Sequence, residues 1–302
     1  VLTRYKQKHL TWVDLVAPTP QEVRSLLQEF NLHPTLAQEL LSPSYRSKVE
    51  RKGDELLMVL HFPTLRGVSQ RTDHEIDFII GRNFLITTRY ENTDPLHIFA
   101  RVFEVNAVLG RESANHGGHL FASMTRSLYQ ALGDECDSIS EKLKEIEERI
   151  FKGDERQMVA ELSQVGRILH DFHVSLIPHY EMLSSLEAPA VRVFGPEFAY
   201  YLHEVQGECR RIERTIEHLR DSLREMRETN NSLLSTKQNE VMKQLTVLAF
   251  VFLPISFIAA LFGMNTVNNP IIGSAYDFWL IAGSMLMVAI GCFIYFRYKD
   301  WI

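Results

Sequence analysis

Cysteine is scarce in this chain. The three present, Cys136, Cys209 and Cys292, stand too far apart for any metal-binding spacing. Isolated thiols in odd number give no disulfide framework and no zinc finger, so they read as reduced thiols without a role. A glycine-rich phosphate loop is lacking, as is any nucleophile–base arrangement, and no enzyme is expected. Positive charge is not in excess either: the formal net charge of -6 argues against nucleic acid as a main partner. The first residues, Val1 to His9, are polar and basic, so no secretory signal is expected there. The most informative absence lies near the other end. Up to Lys243 the chain is rich in charge, yet from Gln244 to Phe296 the only charged residue is Asp277. A whole-chain average conceals this division within 302 residues, a length that allows two ordinary domains and a sizeable core.

What fills the uncharged stretch is two apolar runs. Leu245 to Phe262 is interrupted only by Thr246 and Ser256, and Phe278 to Phe296 only by Ser284. Each is about long enough to cross a hydrocarbon core as a helix, which then satisfies its own backbone. A pair of buried core helices is the alternative, and the charge flanking both runs opposes it. Tyr276, Trp279, Tyr295, Tyr298 and Trp301 sit near the run ends, where amphipathic rings prefer the headgroup zone. Lys237 and Lys243 precede the first run, and Arg297 and Lys299 follow the second. The connection from Gly263 to Asp277 has neither Lys nor Arg. Basic residues stay on the cytoplasmic side, so both termini are expected there, with the connection outside an inner (plasma) membrane crossed twice.

The part before the runs mixes strand and helix signals. Thr19-Pro20-Gln21-Glu22 reads as a capped helix start, with Val23, Leu26, Leu27 and Phe30 on one face. Leu56 to Phe62, Glu75 to Ile80 and Phe84 to Thr88 read as strands, and a helix is expected around Pro95 to Leu109. From His119 to Phe151 the apolar spacing is helical, Gly153-Asp154 breaks it, and a second helix is expected to about Leu186. Beyond Gly195-Pro196 no proline recurs until Pro254, which allows one helix of about 85 to 100 Å. The expected fold class is α+β: a cytoplasmic α/β domain (1–112), a helical hairpin (113–195), a stalk helix (196–243) and a two-span transmembrane domain (244–302). The spans are placed at about 244–263 and 277–297.

Asn239, Met242, Leu245, Ala249, Leu253, Ser256 and Ala260 recur every three or four residues and share one helix face. The face is small or without a branch at Cβ throughout and leads to Asn265. Periodicity alone leaves two readings open: a tight helix–helix seam, or one wall of a pore that several copies enclose. His170 and His173 have ligand spacing but no third ligand, and His179 follows on the same helix; surface or packing histidines are expected.

Asn239-Glu240-Val241-Met242-Lys243, the run ending in Leu253-Pro254-Ile255, and Gly263-Met264-Asn265 between two C-terminal spans resemble the CorA family of magnesium and divalent-cation channels. The order of α/β domain, hairpin and stalk carries the resemblance over nearly the whole chain. It implies a homopentamer in the bilayer whose first spans line the pore, with Mg2+ as the transported ion. It further implies Gly263, Met264 and Asn265 as selectivity filter, and Asn239, Met242, Leu245, Ala249, Leu253 and Ser256 as pore lining. Gly263 is expected to use backbone angles open only to glycine, aiming Asn265 at the axis. Glu39, closing His33-Pro34-Thr35-Leu36-Ala37-Gln38-Glu39-Leu40, and Glu204 match the family's acidic pair, which binds regulatory Mg2+ between neighbouring subunits. After Asn265 the chain departs from the family pattern, reading Thr266-Val267-Asn268-Asn269-Pro270-Ile271-Ile272-Gly273 with no carboxylate. Zinc, cobalt or nickel transport on the same fold is therefore the first alternative. A non-conducting, membrane-anchored interaction protein is the second.

Overall fold

The structure is a computed structural model that describes residues 1–7, 9–44, 46–63, 73–90, 96, 98–103, 115–264, 276–299 and 301. The chain divides into two compact units, Val1–Arg227 and Glu228–Ile302.

The first unit is built on a six-stranded sheet of β1 (Leu2–Gln7), β2 (Leu10–Val16), β3 (Lys48–Lys52), β4 (Glu55–Pro63), β5 (Asp73–Ile80) and β6 (Phe84–Arg89), in the order β1-β2-β6-β5-β4-β3. All pairings are antiparallel except β2 with β6, which run parallel with Val13 opposite Ile86. Of the four inner strands, β4, β5 and β6 fall within a residue or two of expectation, whereas β2 was not expected. The edge strands do not announce themselves. β1 and β3 are short and charged, which suits an edge that must not recruit a further strand and hides the apolar alternation that marks a strand.

Because side chains alternate across a strand, each sheet face takes its own cover. Val13, Leu15, Leu57, Val59, Ile79 and Ile86 face α1 (Pro20–Phe30) and α2 (Pro34–Glu39), which bring Val23, Leu26, Leu36 and Ala37 to the same core. α1 starts as its sequence requires. The Thr19 hydroxyl accepts from the Glu22 N–H, and the Glu22 carboxylate accepts from the Thr19 N–H at 2.8 Å. Of the expected face, Val23 and Leu26 are buried, while Leu27 and Phe30 are partly covered. On the opposite sheet face Phe78 meets Phe121 edge-on at 5.2 Å, and Phe62 meets Tyr129 at 5.6 Å.

Phe121 and Tyr129 belong to α3 (Gly117–Lys152), which turns at Gly153 into α4 (Glu155–Phe194). Gly153 adopts φ 106°, a conformation that favours glycine, and so closes α3. The stripe Leu128, Leu132, Ile139, Leu143, Ile146 and Ile150 is buried throughout. α4 runs past the expected end at Leu186 and carries Pro178 and Pro189 within it. Ala190 and Val193 are buried beyond the second proline, and this packing outweighs the about 3 kcal/mol that an interior proline costs a helix. Of the helix expected around Pro95 to Leu109, residues 98–103 are helical with Ala100 and Phe103 buried; the remainder lies outside the described residues, apart from buried Leu96.

α5 (Phe198–Phe262) is a single helix of 65 residues, and α6 (Asp277–Tyr298) follows it. Within the first unit α5 buries Phe198, Leu202, Val205, Cys209, Ile212 and Ile216, at helical spacing. Its later part belongs to the second unit.

Candidate ion pathway and acidic residues

α5 and α6 are each long and apolar enough to cross a membrane, and their apolar windows are almost wholly uncovered. In water such surface would be a liability, whereas lipid or another chain covers it without cost. Within α5 the covering is uneven. Val247, Val251, Pro254, Ile255 and Ile258 are partly shielded, whereas Asn239, Met242, Leu245, Ala249, Leu253 and Ser256 are all exposed. The sequence-derived stripe is thus exposed along its length, as are Leu248, Phe252 and Phe257 beside it.

Pro254 interrupts this helix chemically. It has no N–H to give to the Phe250 carbonyl, which would otherwise lack its intrahelical donor. Cys292 of α6 supplies one, its Sγ lying 3.9 Å from that oxygen, and Phe250 meets Phe296 at 6.2 Å. Cys292, read from sequence as a thiol without a role, thus answers a proline on the neighbouring span.

Gly263 closes α5 by donating to the Ala259 carbonyl at 2.9 Å. The backbone angles expected of it are not found, since Gly263 is outside the left-handed region. Space is tight there instead: a Cβ would come 3.0 Å from the Ala259 carbonyl oxygen. Met264 is exposed. Asn265, and the loop that departs from the family pattern, lie outside the described residues.

In the first unit Glu39 closes α2 and Glu204 lies in the second turn of α5. Each has a cation of its own. Lys48 Nζ sits 2.5 Å from Glu39, and Arg126 pairs with Glu204. Among the described residues no group of three or more His, Cys, Asp or Glu side chains is arranged to hold a metal. Glu39 does border an acidic patch that sequence reading missed. The Tyr90 hydroxyl donates to the Glu39 carbonyl and to Asp77, each at 3.3 Å, and Glu75 lies 3.5 Å from His61 Nε2. Burial, then the neighbouring Glu75, holds the Asp77 carboxyl well above the usual range, and burial likewise raises Tyr90. The i, i+2 spacing of Glu75 and Asp77 on an expected strand was the available signal.

Of the three histidines, His170 is exposed and His173 half-buried, so neither is enclosed as a ligand. His179 is fully buried. Its Nδ1 accepts from the Tyr129 hydroxyl at 2.9 Å and its Nε2 donates to the His61 carbonyl at 3.0 Å, an arrangement that fixes a neutral ring. Burial drives its pKa down to about 3. A second buried group ties β2 to β6: Arg89 reaches Asp14 at 2.8 Å, Thr87 donates to Asp14 at 2.8 Å, and Trp12 donates to Thr87 at 3.0 Å.

A sheet domain and a helical hairpin are followed by one long helix that continues into the first of two apolar C-terminal helices, both candidate membrane spans. The family model described as CorA-like Mg2+ transporter protein matches residues 7–298, and the chain belongs to that family, one of transporters and not of enzymes. Among its relatives, the cobalt/magnesium transport protein CorA of Thermotoga maritima is 24% identical over 97% of this chain and 83% of its own length. The zinc transport protein ZntB of Yersinia pseudotuberculosis is 22% identical, over 96% of this chain and 88% of its own. The complete structure of the CorA magnesium transporter from Methanocaldococcus jannaschii superposes with a TM-score of 0.84 at 20% identity, covering 99% of this chain and 93% of that one. The likeness shows the same fold.

Proposed function

We propose that the protein is a divalent-cation channel that admits magnesium down its electrochemical gradient. It works as a homopentamer in the inner (plasma) membrane with both termini in the cytoplasm. The observation that carries this reading is the exposed stripe on α5, since side chains that are small or without a branch at Cβ, on an apolar helix with little buried surface, suit a wall that copies close into a pore. Asn239 forms a polar ring at the cytoplasmic end. Met242, Leu245 and Leu253 form apolar constrictions that gate by excluding water, and Ala249 and Ser256 line the wider part. Gly263, Met264 and Asn265 form the outer filter, where neutral amide oxygens hold hydrated magnesium through its water shell without trapping it. Glu39 and Glu204 of adjacent chains hold a regulatory ion that keeps the pore shut.

Membrane potential drives entry: about 2.3 kcal/mol per charge per 100 mV, so about 4.6 kcal/mol for a divalent ion. Zinc, cobalt or nickel is the second reading, supported by the carboxylate-free sequence after Asn265 and by the zinc-transporting relative. The test uses purified full chain in vesicles whose orientation is checked by labelling a single cysteine placed at Asn268. Magnesium influx that rises with inside-negative potential and exceeds zinc influx is expected. Zinc entering first would select the second reading, and no divalent entry at any potential would overturn both.

A further inference from the structure

α4 contains a single glycine, Gly166, well inside the helix. Glycine there is destabilising relative to alanine, so the position calls for an account. What lies against it is α5. A Cβ on Gly166 would overlap Arg227 Nη2 and come 3.3 Å from Leu223 Cδ2, and these two α5 residues are one turn apart. Through this notch Arg227 Nη2 donates to the Leu162 carbonyl at 3.0 Å. Within α4 that oxygen's own donor is the N–H four residues on, that of Gly166, and a carbonyl has a second lone pair to offer. A helical side chain leans back over the turn before it, so one at 166 would stand over the Leu162 carbonyl. Gly166 leaves that oxygen bare.

The apolar side chains that the two helices bury along this stretch, Leu162, Val165 and Leu169 on α4 and Leu219 and Leu223 on α5, attract without direction. They hold the helices together but do not fix where one lies along the other. A hydrogen bond to one carbonyl does. A shift of α5 by one turn, about 5.4 Å, would carry Arg227 to a carbonyl that a side chain covers, because α4 has no second glycine. We propose that Arg227, seated in the Gly166 notch, is a positioning residue that keys α5 to α4 at one axial register and thereby sets the resting position of the pore wall. From Arg227 to Asn239, where the exposed stripe begins, α5 is one unbroken helix over about 18 Å, so a shift along the axis at the notch is passed on to the stripe. The role in the pore rests on the reading of α5 as its wall, whereas the key itself does not.

Two readouts keep the key and the pore apart. Full-length protein carries Cys292→Ala, which leaves only the buried Cys136 and Cys209, and spin labels at Ala160→Cys and Glu217→Cys, both exposed and offset along the two helices. Dilution with unlabelled chain confines the measured distance to pairs within one chain. The parent should give one narrow distance. Arg227→Met, a surface change that keeps the stem and loses the donor, should shift or broaden it by about 1.5 Å or more, the rise of one residue. Gly166→Leu, which fills the notch, should do the same. Gly133→Ala, whose Cβ meets Ile212 Cδ1 at an ordinary 3.4 Å, should not. In vesicles, the internal magnesium that half-stops entry should rise about fivefold in Arg227→Met with maximal flux kept, as loss of one partly exposed hydrogen bond from the resting state gives. An unshifted distance in both Arg227→Met and Gly166→Leu overturns the key, whether or not the protein conducts. A shifted distance with an unchanged half-stopping concentration overturns its role in the pore. A parent that admits no ion refutes the proposed function, and the distance still decides the key.

Discussion

Leu253→Ser separates a pore wall from a packing seam. Leu253 is 71% exposed within its own chain, so less than a third of its surface is covered by intrachain contacts. Full burial of a leucine stabilises by about 1.5–3 kcal/mol, and the truncation should therefore cost the isolated chain under about 1 kcal/mol. The larger effect arises only where copies face one another across an axis. There the leucines exclude water from the closed pore, and serine lets it in. If the ring as a whole loses only the lower figure of about 1.5 kcal/mol, resting flux rises about tenfold. Magnesium entry into dye-loaded vesicles at high internal magnesium measures the flux, and size-exclusion chromatography in detergent measures the assembly. An intact oligomer with raised resting flux is expected. Dissociation of the oligomer, or an intact oligomer with unaltered flux, refutes the pore assignment of this face.

Replacing Glu39 and Glu204 together by alanine should weaken inhibition of uptake by internal magnesium; closure at unchanged concentration in the double variant would show that the pair is not the sensor. His179 should make the first unit acid-sensitive, because its folded pKa of about 3 lies below that of an unfolded histidine, near 6.5. The unfolded state then binds the extra proton, so stability present above pH 6.5 is lost as pH falls toward 3, by about 1.4 kcal/mol per pH unit. Urea unfolding followed by Trp12 fluorescence at pH 7.5 and 5 measures this, and His179→Gln should flatten the difference; an equal acid loss in the variant would assign it to another group.

The features legible in the sequence were those written within a few residues. The Thr19–Glu22 capping box, the α3 stripe and the apolar runs of α5 and α6 each depend on local spacing, and each is found. Features set by distant partners were not. Nothing near Asp14 announces Arg89, which is 75 residues away until β2 and β6 pair in parallel. Cys292 gains its contact only when α6 sets it beside the carbonyl that Pro254 leaves open, 42 residues earlier. The end of α4 was misplaced because proline weighs against a helix locally, while the burial of Ala190 and Val193 that overrides it is tertiary. Gly263 was assigned left-handed backbone angles that it does not adopt, and what crowds it is the Ala259 carbonyl one turn earlier.

Substitution of Asn265 tests the proposed filter most directly. Asn265→Asp keeps the shape and a capping oxygen but adds charge, and Asn265→Gly removes the side chain altogether. With magnesium and competing divalent ions offered to oriented vesicles, a ring of neutral amides predicts changed ion preference or lost flux in the first variant. It predicts loss of selective magnesium entry in the second, with the oligomer intact in both. Magnesium uptake and selectivity unaltered in both variants would contradict it, leaving Asn265 as no more than the cap of the first span.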